Sequence, residues 1–225
     1  MHRNALKNGP EDHCWIAGRV ASFAGSVVGL AVLVNCSPSP TIADNSSIVV
    51  QPDCGVTNVC ELGMTYEQVR RATGDATIHS LSKDARSWNP WGHGQIVLIP
   101  SLGAVSYLGA NGPLSEISFK VRPVVVAPKL QIQQPFRGKL AQVLSFDGGP
   151  VGRTEVEARF GGTDRTATNI TEVIELRKHP QAFDWKGSDG RGFLWYPTRG
   201  LAFEFESNIL TSFQIYKAIG TNRSQ

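Results

Sequence analysis

The sequence lacks the short motifs that mark the commonest catalytic and metal sites. It contains no Gly-x-Ser-x-Gly nucleophile motif and no phosphate-binding P-loop. Its five histidines never fall at the HxH, HxxxH or HExxH spacings of metal ligands. We therefore predict a protein that is not an enzyme and that uses neither a metal ion nor a small-molecule cofactor.

The sequence also has little excess of charge of one sign. Its 225 residues carry 22 Lys and Arg against 19 Asp and Glu, for a formal net charge of +3. The basic residues are scattered, so the basic patch typical of nucleic-acid-binding proteins is missing from the sequence. With 41% apolar residues the chain has enough apolar mass for a packed core. We expect a globular protein that does not bind nucleic acid.

One stretch has no charged residue at all. Residues 20–34, VASFAGSVVGLAVLV, follow the basic Arg19. This run is short for a membrane-spanning helix and typical of the apolar region of an export signal. The sequence therefore predicts that residues 1–36 form an N-terminal export signal.

The end of this apolar run resembles a bacterial lipobox. Leu33 stands three residues before Cys36, and Ser37 follows it. The resemblance implies that Cys36 is lipid-modified, and a serine after it implies an outer-membrane lipoprotein that faces the periplasm. Residues 37–52, rich in Pro, Ser and Asn, are then predicted to form a flexible tether. The alternatives are cleavage after Ala43, which gives a periplasmic or secreted chain, and an uncleaved anchor or buried helix.

Two cysteines lie close together after the predicted tether. Five residues separate Cys54 from Cys60, which is too wide for a CxxC redox or zinc site. In an oxidising compartment this pair favours a local disulfide, and the alternative is two reduced, buried thiols. An envelope hydrolase is a further alternative, with Cys54 as the nucleophile and His179 and Asp184 as its partners.

The segment around residues 62–75 predicts a short, capped helix. Thr65 and Gln68 have the spacing of a capping box, and Gly74 is the residue type that ends a helix in the left-handed conformation. Strands at 95–99, 104–108 and 114–121 follow, separated by turn residues. Residues 53–121 therefore form a predicted first unit, a helix followed by antiparallel strands.

The second half of the chain echoes the first. Trp88 and Trp185 are 97 residues apart, and so are Pro100 and Pro197, and Gly103 and Gly200. We therefore predict an α+β fold, a tandem repeat of a short helix packed on an antiparallel β-sheet. Residues 147–225 would form the second repeat, and residues 122–146 would connect the two. The sequence leaves open whether the repeats share one sheet.

The first unit resembles a known family. Gly63-Met64-Thr65, followed by Val69, Gly74 and antiparallel strands, is similar to the SmpA/OmlA family of small outer-membrane lipoproteins, the BamE type. The tandem form resembles the β-lactamase inhibitory protein fold, and residues 196–213 are similar to the last hairpin of those modules. The resemblance implies a non-catalytic, protein-binding role, either in envelope assembly or, as the alternative, in enzyme inhibition.

The candidate partner-binding residues are mainly aromatic. Trp88, Trp91 and Trp185 fall in equivalent predicted loops of the two units, and Arg199 lies in the last predicted hairpin. Trp and Arg dominate the binding energy of many protein interfaces. We therefore predict that these four residues contact an envelope protein partner. The alternative is that the tryptophans cover their own cores.

Overall fold

A computed structural model describes residues 48–80, 95–108, 112–127, 130–187 and 190–220. The chain divides after Ser37, and every described residue belongs to the second unit. The predicted signal, Cys36, Trp88 and Trp91 lie outside the described residues.

Short strands dominate the described chain. Three α-helices occur in it: α1 (Tyr66–Thr73), α2 (Arg153–Phe160) and α3 (Ile170–Leu176). In chain order the strands are β1 (Val49–Gln51), β2 (Gly55–Val56), β3 (Cys60–Glu61), β4 (Thr77–Ser80), β5 (Gln95–Ile99), β6 (Ala104–Leu108), β7 (Leu114–Lys120), β8 (Val124–Ala127), β9 (Leu130–Ile132), β10 (Gly138–Leu140), β11 (Leu144–Phe146), β12 (Thr166–Ala167), β13 (Phe183–Lys186), β14 (Arg191–Tyr196), β15 (Leu201–Glu206) and β16 (Ile209–Tyr216).

These strands form three sheets. The largest has nine strands in the order β12-β13-β14-β15-β16-β7-β6-β5-β4. All its neighbours are antiparallel except β12 and β13. The second sheet has the order β11-β10-β1-β2-β3 with β1 parallel to β10, and the third is the β8–β9 hairpin. Pairing of β7 with β16, in which Phe119 faces Phe213, makes the large sheet continuous.

The predicted fold, a tandem repeat of a helix on an antiparallel sheet, is wrong. The described chain is mostly β-structure, and two of its sheets mix parallel and antiparallel pairs. Residues 122–146, predicted as a connector, supply β8 to β11, and β1 lies in the predicted tether. The physical reason is that one short helix per unit is too small to cover the apolar face of so wide a sheet. An eight-residue helix such as α1 is about 12 Å long, whereas nine strands span roughly 38 Å.

The inner face of the nine-stranded sheet, which packs against the five-stranded sheet, α1 and α2, carries the main core. At its centre Phe213 stacks on Phe119 and Phe146, with ring centroids 4.9 and 4.8 Å apart. Phe136 packs edge-on against Phe119 at 5.0 Å. Phe136 and Phe146 both come from the segment predicted as a connector. That segment is therefore a structural part of the core.

The outer face of the same sheet has two separate apolar covers. At one end α3 contributes Val173 and Leu176 to a cluster with Trp195. At the other end the β8–β9 hairpin places Ile132 against Ile96. The sheet between these two covers carries polar side chains.

The helices α1 and α2 begin in different ways. In α1 the Thr65 side chain accepts a hydrogen bond from the Gln68 N–H, the Gln68 side chain accepts one from the Thr65 N–H, and Gly74 is left-handed at φ 77°. The predicted capping box is therefore confirmed. In α2 the N-cap is Gly152, which offers no side chain. Arg153, the first residue of α2, instead forms a 2.9 Å ion pair with Asp184 on β13.

Candidate functional site

A strip of polar residues crosses the outer face between its two apolar covers. We call it the polar strip, and its members are Glu116, Ser118 and Lys120 on β7, Ser212 and Gln214 on β16, and Glu204 on β15. Strand periodicity puts them on this face, because alternate residues such as Ile117 and Phe119 point into the inner core. Glu116, Ser118 and Ser212 are nonetheless buried. The strip therefore contains polar groups that are shielded from water.

An ion pair holds one end of the strip. The Arg177 guanidinium, just after α3, lies 3.3 Å from Glu116 Oε2 and 4.7 Å from the ring centre of Tyr216. The Arg177 and Glu116 side chains are 14% and 5% exposed. Glu116 Oε1 and Ser118 Oγ have no hydrogen-bond partner among the described residues. The buried part of the strip thus has unused hydrogen-bonding capacity.

A second charged pair lies further along the strip. Lys120 Nζ is 3.9 Å from Glu204 Oε2, and their side chains are 14% and 20% exposed. Ser212 Oγ donates a 2.7 Å hydrogen bond to the same carboxylate oxygen. Burial lowers the pKa of Lys120, while the nearby carboxylates of Glu204 and Glu116 oppose that shift. The charged form of Lys120 is therefore less stable here than in water, and the long ion pair with Glu204 offsets part of that cost.

This second pair opens into a cavity of about 340 Å³, which we call the central groove. Residues of both charges line it: Lys120, Arg122, Arg191, Glu204 and Glu206. Ser212 and the 37% exposed Val124 also line it. Arg191 and Glu206 face each other across β14 and β15. The groove can therefore take a segment that presents both charges together with small apolar groups.

Ser212 does not have the surroundings of an activated nucleophile. Although it lines the groove, its side chain has no exposed surface for a substrate to reach, and the Glu204 carboxylate that accepts its hydrogen bond is paired with Lys120. The geometry of the groove suits binding through hydrogen bonds and ion pairs.

The predicted partner-binding residues do not converge. Trp185 lies on the outer face, half-buried, with its ring centroid 5.5 Å from that of Phe193. Arg199 is exposed and sits 5.6 Å from the ring centre of Phe160, an inner-core residue of α2. The structure therefore places these two residues on opposite faces of the sheet. Trp88 and Trp91 lie outside the described residues, so their predicted role stays a prediction.

In the structure Cys54 is half-buried and Cys60 is buried, and the predicted disulfide between them stays a prediction. The register pairs Val56 with Cys60, and the Leu62 N–H donates to the Cys54 carbonyl. Burial, with a smaller effect of Glu61, raises the pKa of Cys60 to about 12.

The residues of the alternative catalytic set come from different parts of the fold. Cys54 lies in the turn between β1 and β2 of the five-stranded sheet, which packs on the inner face, whereas His179 follows α3, which covers the outer face. The Asp184 carboxylate is held by Arg153 of α2. Among the described residues no group of three or more His, Cys, Asp or Glu side chains could hold a metal ion. In the same part of the chain, no helix is long and apolar enough to cross a membrane.

Comparison with known proteins does not identify the chain. It matches no family model, no curated protein sequence and no solved structure. Its resemblance to the SmpA/OmlA family therefore stays an expectation from the sequence.

The central groove was missed at the level of sequence, although a signal for it exists. Residues 114–120 read LSEISFK, in which polar residues alternate with large apolar ones. Residues 212–215, SFQI, continue the same alternation. This pattern indicates one polar face on each strand. What it cannot indicate is that β7 and β16 pair side by side and join two polar faces into one strip.

Proposed function

We propose that this chain is an exported, lipid-anchored envelope protein of bacteria that works as a non-catalytic protein-binding module. The central groove carries the proposal. It combines three cations, two carboxylates and an exposed valine in one cavity of about 340 Å³. Interfaces of this kind gain specificity from the arrangement of charges and affinity from a few well-packed contacts.

The charges in the groove fit a protein ligand better than a single small ion. Lys120 already lies near Glu204, and Arg191 lies opposite Glu206, so most of the local charge is balanced within the chain. A partner segment with alternating acidic and basic residues could contact both pairs without leaving either carboxylate unpaired. We therefore propose an envelope protein that presents a surface segment of mixed charge.

The lipid anchor is proposed on the lipobox-like sequence alone. Lipid modification at Cys36 would hold the protein at the outer membrane, facing the periplasm. The Cys36→Ala variant should lose incorporation of a labelled fatty acid and move from the membrane to the soluble fraction. A variant that keeps both the label and the membrane fraction would contradict the anchor.

Photo-cross-linking in the native envelope tests the binding surface. A photoreactive residue replaces Val124 at the groove, and a matched control replaces Val143 between β10 and β11. The two valines have similar exposures, 37% and 41%. We expect a recurrent adduct with one envelope protein from position 124 that is missing from position 143. Identical adducts from both positions, or none from 124 in a folded protein, would overturn the proposed surface.

A further inference from the structure

Two arginines line a second cavity, of about 290 Å³, at the edge of the inner core. Arg122 follows β7, and Arg137 precedes β10. Phe136, Phe146 and Leu210 form the apolar part of the wall. These three are buried core residues, so their positions are fixed by packing on the nine-stranded sheet.

The two arginines differ from the other half-buried cations of the chain. Arg153 and Arg177 lie 2.9 and 3.3 Å from carboxylates. Within the described residues, neither Arg122 nor Arg137 forms an ion pair or a hydrogen bond, although both are half-buried. A guanidinium is always charged at neutral pH, and partial removal from water without a partner is unfavourable. Two such groups around one small cavity also repel each other.

Gly148 leaves room for the Arg137 guanidinium at this cavity. A Cβ at Gly148 would lie 2.8 Å from Arg137 Cζ and 3.0 Å from Nη2, so any side chain there would displace the guanidinium. Gly148 also has φ +115°, a conformation that disfavours other residues. The neighbouring Asp147 accepts a 3.2 Å hydrogen bond from the Gly149 N–H, and among the described residues it forms no ion pair with Arg137.

We propose that this cavity is an oxyanion-binding site. A carboxylate or phosphate group would lie between Arg122 and Arg137, because guanidinium groups bind such oxyanions in a bidentate manner. Phe136 and Leu210 would contact an apolar group attached to it. The volume of about 290 Å³ is at the small end for ligand sites, which suits a small anion or a single acidic side chain or chain terminus. Arg122 also lines the central groove, but the inference does not rest on the proposed protein-binding function, and Arg137 belongs to this cavity and not to the lining of the groove.

Calorimetric titration of the purified protein with sodium phosphate and, separately, sodium acetate tests the site, with chloride holding the ionic strength constant. We expect saturable binding of at least one anion. The apparent Kd should rise at least tenfold in Arg137→Gln and in Arg122→Gln, and less in Arg137→Lys, which keeps the charge but loses the planar fork. Arg71→Gln removes an exposed arginine outside the cavity and should leave the Kd unchanged.

The outcomes separate the sources of the anion. Preference for phosphate would indicate a phosphate-bearing ligand, and preference for acetate a carboxylate such as a chain terminus. Saturable binding of neither anion to the wild-type protein would overturn the proposal, as would equal affinity in wild type and Arg137→Gln. Thermal unfolding without anion confirms that each variant is folded. Since the cross-linking at Val124 uses no added anion, the two proposals can fail separately.

Discussion

The two faces of the nine-stranded sheet are built from alternate residues of the same strands, and they differ in chemistry. On β7, Ile117 and Phe119 point into the aromatic inner core, while Glu116, Ser118 and Lys120 point to the polar strip. The inner face buries apolar surface, which is the main source of folding free energy. Between its two apolar covers the outer face buries charges, which are a weak source of folding free energy. We therefore expect mutations on the inner face to affect stability most, and mutations in the groove to affect binding most.

The largest expected effect is on the inner face. Phe213→Ala should lower the free energy of unfolding by about 3–5 kcal/mol, because it removes a fully buried ring stacked on two others. Urea unfolding measures this change in the free energy of unfolding. The exposed Val143→Ala is the control and should change stability by less than about 0.5 kcal/mol. A loss below about 1 kcal/mol for Phe213→Ala would show that the inner face does not dominate stability.

Breaking the buried ion pair of the strip should have a slightly smaller effect. Arg177→Met leaves Glu116, 5% exposed, without its cation, and should destabilise the protein by about 3 kcal/mol. The double variant Arg177→Met, Glu116→Met should recover most of that loss, because it removes the uncompensated charge as well. If the double variant is no more stable than the single one, then the pair itself contributes net stability and the contrast between the faces weakens.

A pH effect of intermediate size comes from Cys60 in the inner core. Its pKa rises from 9.0 to about 12 on folding, so burying the neutral thiol contributes stability that is complete below pH 9 and is lost as the pH rises toward 12. Between pH 8 and 10 the wild type should lose about 1.4 kcal/mol more than Cys60→Ala. Urea unfolding under reducing conditions measures this, and Cys54→Ala, at a half-exposed site, is the control. Equal losses in wild type and Cys60→Ala would contradict the buried thiol.

The smallest stability effect is expected in the central groove. The triple variant Lys120→Met, Glu204→Leu, Ser212→Ala removes the long ion pair together with the hydroxyl that depends on it. Its free energy of unfolding should stay within about 1 kcal/mol of the wild type or increase, because apolar replacement of a buried charged network is often neutral or stabilising. A loss of more than about 3 kcal/mol in the free energy of unfolding would contradict this prediction, because it would show that these charges stabilise the fold.

The elements that were predicted correctly from the sequence are those that depend on residues close together in the chain. The helix at 66–73 followed from Thr65, Gln68 and Gly74, whose side chains and backbone satisfy its ends locally. Strands β5 and β6 followed from short apolar runs separated by the turn at Pro100. Each of these signals acts over fewer than about ten residues, which is the range that pattern reading covers.

The features that the sequence did not reveal depend on contacts between segments that are far apart in the chain. Strand β1 has three residues and pairs in parallel with β10, about 90 residues further on, so no local pattern marks it. Residues 122–146 were predicted to connect two repeats, yet Phe136 and Phe146 of that segment complete the core. The groove was missed for the same reason, since it needs β15, β16 and β7 side by side.

The most direct test of the central claim is cross-linking yield at position 124 in the triple groove variant. We predict that this variant is at least about as stable as the wild type and forms the partner adduct with at least tenfold lower yield. That result would mean that the charges of the outer face serve binding. An unchanged yield in a folded triple variant would contradict the claim, because the partner would then contact Val124 without using the charges of the groove.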